Sequence, residues 1–310
     1  MDRGGPAGTA VVRASWAPGR AGPSHRAEMT TQWLCGQVLE VLEEDGSWLR
    51  GRGPDGYESW VGCGSLLRLS PERAEAWRRE ATAISLGVRL RDVDDGEDPL
   101  RGRGRAAPPR RLPWGARVVP EEGGGVRLPD GTRARPASPD ALAGPSERGR
   151  RFPPEPAAVV RTALAWVGAP YLWGGRTREG TDCSGLVQAV HAVHGVDLPR
   201  DSGQQLEAGP GIRAPDPEPG AAGNAGSGSG GGEGAGGAGA APASRPGDLL
   251  FFGDDSRSVS HVAMVVEGAT VLHAAEDNGA VALDDLSSGR PLVRRLRRRI
   301  LGATRPLADP

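Results

Sequence analysis

The hydrophobic pattern of the chain changes character near residue 150, and this change constrains the fold more than any other feature. Before it, short alternating apolar runs are separated by Asp-Gly, Pro-Asp-Gly and Gly-Ser turns, which is typical of a β-rich region. After it, residues 156–168 begin with a proline and place Val159, Ala163 and Trp166 at the spacing of an amphipathic helix. The 310 residues therefore combine an all-β part with an α+β part.

The β-rich part divides into two units that are joined by a helix. Residues 8–70 carry a strong hairpin signal, because Asp45-Gly46 lies between two apolar runs. Residues 71–83 begin with a proline and continue with good helix formers, which predicts a short linking helix. Residues 84–148 show weaker β-like runs, and we interpret them as a second, degenerate β unit.

Residues 154–305 are predicted to form one α+β unit that contains a low-complexity insertion. A second helix is expected at 184–194, and three later runs have strand character. These runs are 248–252, 261–266 and 270–273. Residues 208–244 are dominated by Gly, Ala and Ser, which cannot bury enough apolar area to offset chain entropy. We expect this insertion to be disordered at the surface.

Composition and charge exclude several classes of protein. The chain has 38 basic and 39 acidic residues and a formal net charge of −1, so no basic excess points to a nucleic-acid partner. The chain contains no apolar run long enough to predict a membrane helix. Three cysteines without a C-x-x-C pair indicate neither a disulfide scaffold nor a structural zinc site. We expect the protein to use no metal and no cofactor.

The first residues predict no secretory signal, because no charged run is followed by an apolar core. The few cysteines agree with a reducing compartment, so we expect a cytoplasmic protein. A start assigned too far downstream would hide a signal, and secretion then becomes the alternative.

The segment around Cys183 carries the chemistry that the sequence reveals. Cys183 follows the run Tyr171-Leu-Trp-Gly-Gly175 and stands at the start of the second predicted helix. Backbone N–H groups and the helix dipole favour a thiolate at that position. A thiolate can attack a carbonyl carbon, and the same N–H groups can stabilise the resulting oxyanion. The sequence therefore predicts a nucleophilic cysteine.

Two histidines are placed to assist this cysteine. His261 and His273 lie in consecutive strand-like runs that are joined by a turn at Glu267-Gly268. Antiparallel pairing of these runs would set the two imidazoles side by side. His261 is then the candidate general base, and His273 the group that orients it.

Each of these residues also has an ordinary structural interpretation. A cysteine in an apolar helix is usually a small buried hydrophobe, and an isolated histidine usually packs. The combination of a cysteine at a helix start with two histidines on paired strands favours catalysis. His191 and His194 have no acidic neighbour to complete a metal site, so we interpret them as surface or packing residues.

The sequence resembles the NlpC/P60 family of papain-like cysteine peptidases over residues 156–305. The matching motifs are Pro170-Tyr-Leu-Trp-Gly-Gly175, Asp182-Cys-Ser-Gly185, Leu198-Pro-Arg-Asp-Ser202, Arg245-Pro-Gly-Asp-Leu-Leu-Phe-Phe252, His261-Val-Ala-Met and Leu272-His273. Upstream, the run GYESWVG at 56–62 is similar to a pattern of bacterial SH3 domains. The resemblance implies an α+β fold in which a papain-like catalytic domain follows two small all-β SH3-like barrels.

The resemblance also implies roles for individual residues. Cys183 would be the nucleophile, His261 the base and His273 the orienting third member. The hydroxyl of Tyr171 would help to stabilise the oxyanion. Substrate contacts are implied for Asp182, Ser184, Ser202 and Glu58, which would hold the free α-amine and the D-glutamyl part of a murein peptide.

The expected function is therefore hydrolysis of the γ-D-glutamyl–diamino-acid bond in murein stem peptides, with a preference for L-Ala-γ-D-Glu that has a free N-terminus. One alternative is a secreted hydrolase of intact peptidoglycan, whose SH3 modules bind the wall. A second is a wall-binding protein with an inert peptidase domain, and a third is an acyl- or amidotransferase. We expect a monomer, because one chain completes the site.

Overall fold

The protein is described here by a computed structural model. It describes residues 8–92, 110–209, 211–212, 244–254 and 258–307. The α+β class expected from the sequence is confirmed, with a β-rich N-terminal region and a C-terminal region that mixes helices with a sheet.

The first β unit is a seven-stranded antiparallel sheet. Its strands are β1 (Thr9–Val12), β2 (Trp16–Arg20), β3 (Met29–Leu34), β4 (Val38–Asp45), β5 (Trp48–Arg52), β6 (Glu58–Gly62) and β7 (Leu66–Leu69). The strand order is β3-β2-β6-β5-β4-β1-β7. The predicted hairpin is confirmed, since Asp45 pairs with Trp48 and Gly46 adopts a left-handed φ of 54° in the turn. Alternating side chains place Trp33 in the core, where its indole Nε1–H donates to Ser59 Oγ at 2.7 Å.

The predicted linking helix is α1 (Pro71–Glu80), and it is fixed to the first sheet. Ser70 caps its start by accepting a hydrogen bond from the backbone N–H of Arg73. Trp77 lies on its buried face, and the indole N–H donates to the carbonyl of Gly36 at 2.8 Å. The helix therefore sets the position from which the second β unit starts.

The second β unit repeats the topology of the first. Its strands are β8 (Ala83–Ser85), β9 (Arg89–Asp92), β10 (Arg110–Arg111), β11 (Arg117–Pro120), β12 (Val126–Arg127), β13 (Arg133–Pro136) and β14 (Leu142–Ala143). Their order is β10-β9-β13-β12-β11-β8-β14, which is the order of the first sheet strand for strand. Among the described strands, the two edges of neither sheet pair with each other, so the closed barrels implied by the resemblance are not found.

The C-terminal region begins with helices. They are α2 (Pro145–Arg151), α3 (Pro156–Leu164), α4 (Cys183–Val193) and α5 (Ser202–Ala208), with a two-stranded hairpin of β15 (Arg176–Thr177) and β16 (Gly180–Thr181) before α4. The helix predicted at 156–168 ends four residues early, because the chain turns there and Gly168 takes a left-handed φ of 86°. His191 and His194 on and after α4 are both buried, which makes them packing residues.

A six-stranded antiparallel sheet forms the centre of this region. Its strands are β17 (Gly211–Ile212), β18 (Leu249–Gly253), β19 (Val259–Glu267), β20 (Thr270–Ala275), β21 (Ala280–Asp285) and β22 (Ile300–Thr304), in the order β17-β22-β18-β19-β20-β21. One face packs against α3 and α4 through apolar side chains that include Val159, Leu186 and Phe251. The other face packs against α6 (Pro291–Arg297) through Leu292 and Val293. Burial on both faces fixes the strands that carry the histidines.

The predicted disordered insertion at 208–244 lies almost entirely outside the described residues. At its N-terminal end, Ala208 is the last residue of α5 and Gly211–Ile212 pairs with β22. In the described part of the chain, no helix combines the length and the apolar character needed to cross a membrane.

Candidate active site

The candidate nucleophile stands at the first position of α4. Asp182 is the N-cap of this helix, and its Oδ1 accepts a hydrogen bond from the backbone N–H of Gly185 at 2.7 Å. The Oδ2 atom of Asp182 accepts from the backbone N–H of Gly174 at 2.9 Å. A Cβ at Gly185 would lie 2.0 Å from the carbonyl oxygen of Gly175. The glycines of both motifs therefore allow the preceding turn to pack directly on the helix start that carries Cys183.

The thiol of Cys183 is largely shielded from solvent but lines the cleft described below. Burial, followed by the neighbouring carboxylate of Asp182, raises the pKa of the thiol to about 12. Hydrogen bonds from the backbone N–H groups of Val262 and Ser184 act in the opposite direction. The N–H groups at the helix start favour the thiolate, as the sequence predicts, but desolvation outweighs them in the free protein. The thiol needs a base that accepts its proton during attack.

Three neighbouring strands bring that base and its partners together. His261 lies on β19 and directly precedes Val262, whose backbone N–H contacts the Cys183 sulfur. His273 lies on β20. The two rings meet as the sequence predicts, with His261 Nε2 and His273 Nδ1 2.7 Å apart. On β21, Asp284 places its Oδ2 3.0 Å from His273 Nε2. Because Ala282 pairs with His273, Asp284 lies two residues further along the same face of the sheet.

The carboxylate of Asp284 is held in place by further contacts. Its side chain is fully buried, Asn278 Nδ2 donates to Oδ2 at 2.9 Å, and Arg290 donates to Oδ1. Burial raises the pKa of Asp284, but hydrogen bonds from Asn278 and His273 outweigh burial and the net shift is downward. Asp284 is therefore an ionised acceptor at neutral pH.

An ionised Asp284 determines the tautomers of both imidazoles. A carboxylate only accepts, so His273 Nε2 carries a proton and its Nδ1 is the acceptor in the neutral ring. His261 must then donate through Nε2–H, which leaves an unprotonated Nδ1. Burial lowers the pKa of His273. Burial, followed by repulsion from His273, lowers the pKa of His261 to about 3. Among the described residues, Nδ1 of His261 makes no hydrogen bond, so its lone pair is free to accept a proton.

Cys183 borders a cleft of about 680 Å³ between the C-terminal region and the first β unit. Side chains of the C-terminal region that line it include those of Tyr171, Trp173, Asp182, Cys183, Ser184, Arg200, Asp201 and Ser202. The first β unit contributes Glu28, Thr30 and Tyr57. Among the described residues, no group of three His, Cys, Asp or Glu side chains is arranged to hold a metal ion.

Tyr171 and Ser202 lie in this cleft, where the sequence places them. Burial, followed by the charges of Cys183 and Asp182, raises the pKa of Tyr171 to about 12, so its hydroxyl stays a hydrogen-bond donor. Ser202 opens α5, and its Oγ lies 3.5 Å from the carbonyl oxygen of Val259. Both hydroxyls can therefore contact a bound peptide.

Asp182 and Ser184 also line the cleft, but Arg200 already engages them. The guanidinium of Arg200 donates to Asp182 Oδ1 at 3.1 Å and to Oδ2 at 2.6 Å, and to Ser184 Oγ at 2.9 Å. Only 1% of the Arg200 side chain is exposed. This buried ion pair neutralises Asp182, so its carboxylate supports the helix start and contributes little free negative charge to the cleft.

Glu58 is not brought to the cleft. Its carboxylate lies 2.7 Å from an Arg52 nitrogen and 3.7 Å from an Arg50 nitrogen on the exposed face of the first sheet. Side chains alternate along a strand, so the preceding Tyr57 points the other way and lines the cleft instead. The carboxylate that the first β unit does supply is Glu28, which accepts a hydrogen bond from Trp173 Nε1 at 2.6 Å.

Sequence reasoning missed several residues of this site. They are Glu28, Tyr57, Trp173, Arg200 and Asp284. Tyr57, Trp173 and Arg200 stand inside the motifs quoted above, so the sequence contains a signal for them. Glu28 precedes a strand in a loop, and Asp284 follows the histidines by a full strand, and neither belongs to a recognised motif.

Comparison with known proteins finds two family matches in this chain. Residues 168–296 match the NlpC/P60 family, and residues 19–66 match the bacterial dipeptidyl-peptidase SH3 domain. A γ-D-glutamyl-L-lysine dipeptidyl-peptidase of Bacillus cereus is 25% identical over 84% of this chain and 72% of its own length. Another from Bacillus subtilis is 28% identical over 40% of this chain and 34% of its own length.

Solved structures show the same architecture. The crystal structure of an NlpC/P60 family protein from Bacillus cereus superposes with a TM-score of 0.72. The match covers 97% of this chain and 100% of that chain at 19% sequence identity. This similarity extends the shared fold from the C-terminal region to both β units.

Proposed function

We propose that this chain hydrolyses the γ-D-glutamyl–diamino-acid bond of murein stem peptides. The premise is that it contains an NlpC/P60 peptidase domain behind a bacterial dipeptidyl-peptidase SH3 domain. Two observations support the chemistry: a thiol at a helix start that contacts the backbone N–H of Val262, next to His261, and the hydrogen-bonded chain His261–His273–Asp284. The relatives named as γ-D-glutamyl-L-lysine dipeptidyl-peptidases support the bond that is cut.

Acylation starts with proton transfer from the thiol. Nδ1 of His261 takes the proton of Cys183 while the sulfur attacks the γ-carbonyl carbon, and a C–S bond forms. The N–H groups at the start of α4 and the hydroxyl of Tyr171 stabilise the oxyanion. His261 Nδ1–H then protonates the α-amine of the diamino acid as the C–N bond breaks, which leaves a thioester on Cys183.

Deacylation uses the same groups in reverse. His261 Nδ1 accepts a proton from water, whose oxygen attacks the thioester carbon. The tetrahedral intermediate collapses, the C–S bond breaks, and the thiol recovers its proton from His261. His273 and Asp284 stabilise the imidazolium that forms in each half of the reaction, since Asp284 is ionised and only two hydrogen bonds away.

The residues that line the cleft support recognition of a free peptide N-terminus. The first β unit borders the cleft with Glu28, Thr30 and Tyr57, so an unmodified substrate end would meet a carboxylate there. A shielded ammonium needs such a partner, and we assign to Glu28 the role that the resemblance implies for Glu58. Ser184 and Ser202 then face the D-glutamyl portion of the peptide.

The repeated strand order supports two SH3-type modules. The second sheet has the topology of the first, whose residues 19–66 match an SH3 domain. We therefore divide the chain into SH3-type modules at 8–70 and 84–148, a linking helix at 71–83 and a catalytic domain at 154–305. The first module contributes directly to the cleft, so it acts in substrate selection.

The decisive experiment offers the protein L-Ala-γ-D-Glu-diaminopimelate and its N-acetylated form. We expect release of diaminopimelate from the free peptide, detected by mass spectrometry, and none by Cys183→Ala. Loss of the ammonium contact should lower kcat/KM for the acetylated peptide by at least about 30-fold, which corresponds to about 2 kcal/mol. Equal cleavage of both peptides, or release of soluble fragments from intact sacculi at a comparable rate, would favour a hydrolase of the assembled wall.

A further inference from the structure

A second cavity of about 470 Å³ lies where the two β units, α2 and α4 meet, and we call it the junction cavity. Residues of all four parts line it, among them Asp55, Trp114, Arg148 and Gln188. It shares no lining residue with the active-site cleft. Its size and its position between modules are typical of ligand sites.

Two almost completely buried polar side chains in this wall have unused hydrogen-bonding atoms. Gln188 is 2% exposed, and its Nε2 donates to Asp55 Oδ2 and to the carbonyl oxygen of Leu198, both at 2.9 Å. These two acceptors fix the orientation of the amide and leave Oε1 without a partner in the described part of the chain. Arg176 is 5% exposed, and its Nε likewise has no partner there. A buried donor and a buried acceptor are therefore unsatisfied in the same wall.

The same wall carries an excess of positive charge. Arg117 and Arg148 both line the junction cavity. Asp55 and Asp197 also line it, and Asp55 lies 3.9 Å from Arg176, so three arginines stand against two carboxylates in the lining. Desolvation and then repulsion from Arg148 lower the pKa of Arg117, and Asp197 acts against them. An anion between these arginines would relieve their repulsion.

We propose that the junction cavity is a binding site for a small oxyanion of the phosphate or carboxylate class. The guanidinium groups of Arg117 and Arg148 supply the charge, and Arg176 Nε supplies a buried donor. A ligand that also has a hydroxyl, such as hydrogen phosphate or a hydroxycarboxylate, satisfies Gln188 Oε1 as well. This inference rests on the cavity alone and does not depend on the proposed peptidase activity.

Isothermal titration calorimetry on the full chain tests this site with inorganic phosphate and with citrate at constant ionic strength. We expect saturable binding of at least one probe at a single site. Replacing both cavity arginines, in R117Q/R148Q, should weaken it by at least 10-fold. Arg150→Gln is the matched control, because Arg150 is exposed on the same helix and does not line the cavity.

A second variant guards against a folding defect in the double substitution. Asp197→Asn removes an exposed carboxylate from the cavity wall, so it should tighten binding of the anion. Binding of phosphate alone or of citrate alone assigns the ligand class. Absence of saturable binding for both probes overturns the proposal, as does binding that neither R117Q/R148Q nor Asp197→Asn changes.

Discussion

At the scale of single residues, Asp284 determines which nitrogen of His261 carries the proton. Its carboxylate accepts from His273 Nε2, and this one bond sets the direction of the next hydrogen bond, from His261 to His273. Asp284 does not line the cleft, so it acts through the two imidazoles and is a positioning residue. The tautomer of His261 is therefore set by a buried carboxylate two hydrogen bonds away.

The variant Asp284→Asn tests this arrangement. An amide can donate to His273 Nε2, which would reverse both hydrogen bonds and put the proton on His261 Nδ1. We expect kcat for the murein tripeptide to fall by about 10- to 100-fold with little change in KM. The control is Asp285→Asn, whose side chain is exposed on the same strand. Unchanged kcat and an unchanged pH–rate profile in Asp284→Asn would contradict the role.

In the proposed function, the preference for a free amine depends on Glu28. Glu28→Gln keeps an oxygen for the Trp173 indole but removes the charge that pairs with an ammonium. We expect KM for the free tripeptide to rise by about 10- to 100-fold, the range for a lost charge-assisted hydrogen bond of about 1.5–3 kcal/mol. Cleavage of the N-acetylated peptide should hardly change. Glu58→Gln, on the outer face of the same sheet, is the matched control, and an equal rise in KM there would argue against Glu28.

At the scale of elements, the sequence predicted helices and strands well where periodicity was strong. The helix predicted at 184–194 is found at Cys183–Val193. The strand of His261, predicted at 261–266, starts two residues earlier and ends one residue later. The pairing of the two histidines followed from strand order and turn position alone. The sequence could not predict that Glu28, and not Glu58, faces the cleft. The face of a sheet on which a side chain lies is known only once the register of the strands is known.

The start of α4 depends on the ion pair between Asp182 and Arg200. Arg200→Ala leaves a carboxylate that is 7% exposed without its cation, and breaking a buried pair in this way costs about 3–5 kcal/mol. We expect urea denaturation to show a loss of about 3 kcal/mol in the free energy of unfolding. Adding Asp182→Asn should recover part of the loss, since the double variant contains no unpaired charge. Additive losses in the two variants would contradict the coupling.

At the scale of the whole molecule, the first β unit and the C-terminal region are joined by a set of side-chain contacts. Trp173 reaches Glu28, Gln188 reaches Asp55, and Arg200 reaches Thr31 Oγ1 at 3.1 Å. Each contact joins the first β unit to a residue on or beside α4. A shift of the first unit would therefore move both the cleft and the start of α4, so in the proposed function substrate selection and catalysis depend on the same interface.

Buried neutral histidines make the whole fold sensitive to acid. Burial lowers the pKa of His191 to about 4 and the pKa of His261 to about 3. A histidine in the unfolded chain has a pKa of about 6.5. Below about pH 6.5, the unfolded chain therefore binds more protons than the folded chain. The free energy of unfolding is thus higher at neutral pH and decreases as the pH falls. From pH 7 to pH 5, each such histidine should reduce the free energy of unfolding by about 2 kcal/mol.

Urea titrations at pH 7 and pH 5 measure this loss, and His191→Leu separates one contribution from the rest. His191 is fully buried and lies outside both cavities, so its removal changes the proton count without touching the cleft. We expect the variant to lose about 2 kcal/mol less than the wild type between the two pH values. An identical loss in both proteins would mean that His191 is not kept neutral by the fold, and that the acid sensitivity arises elsewhere.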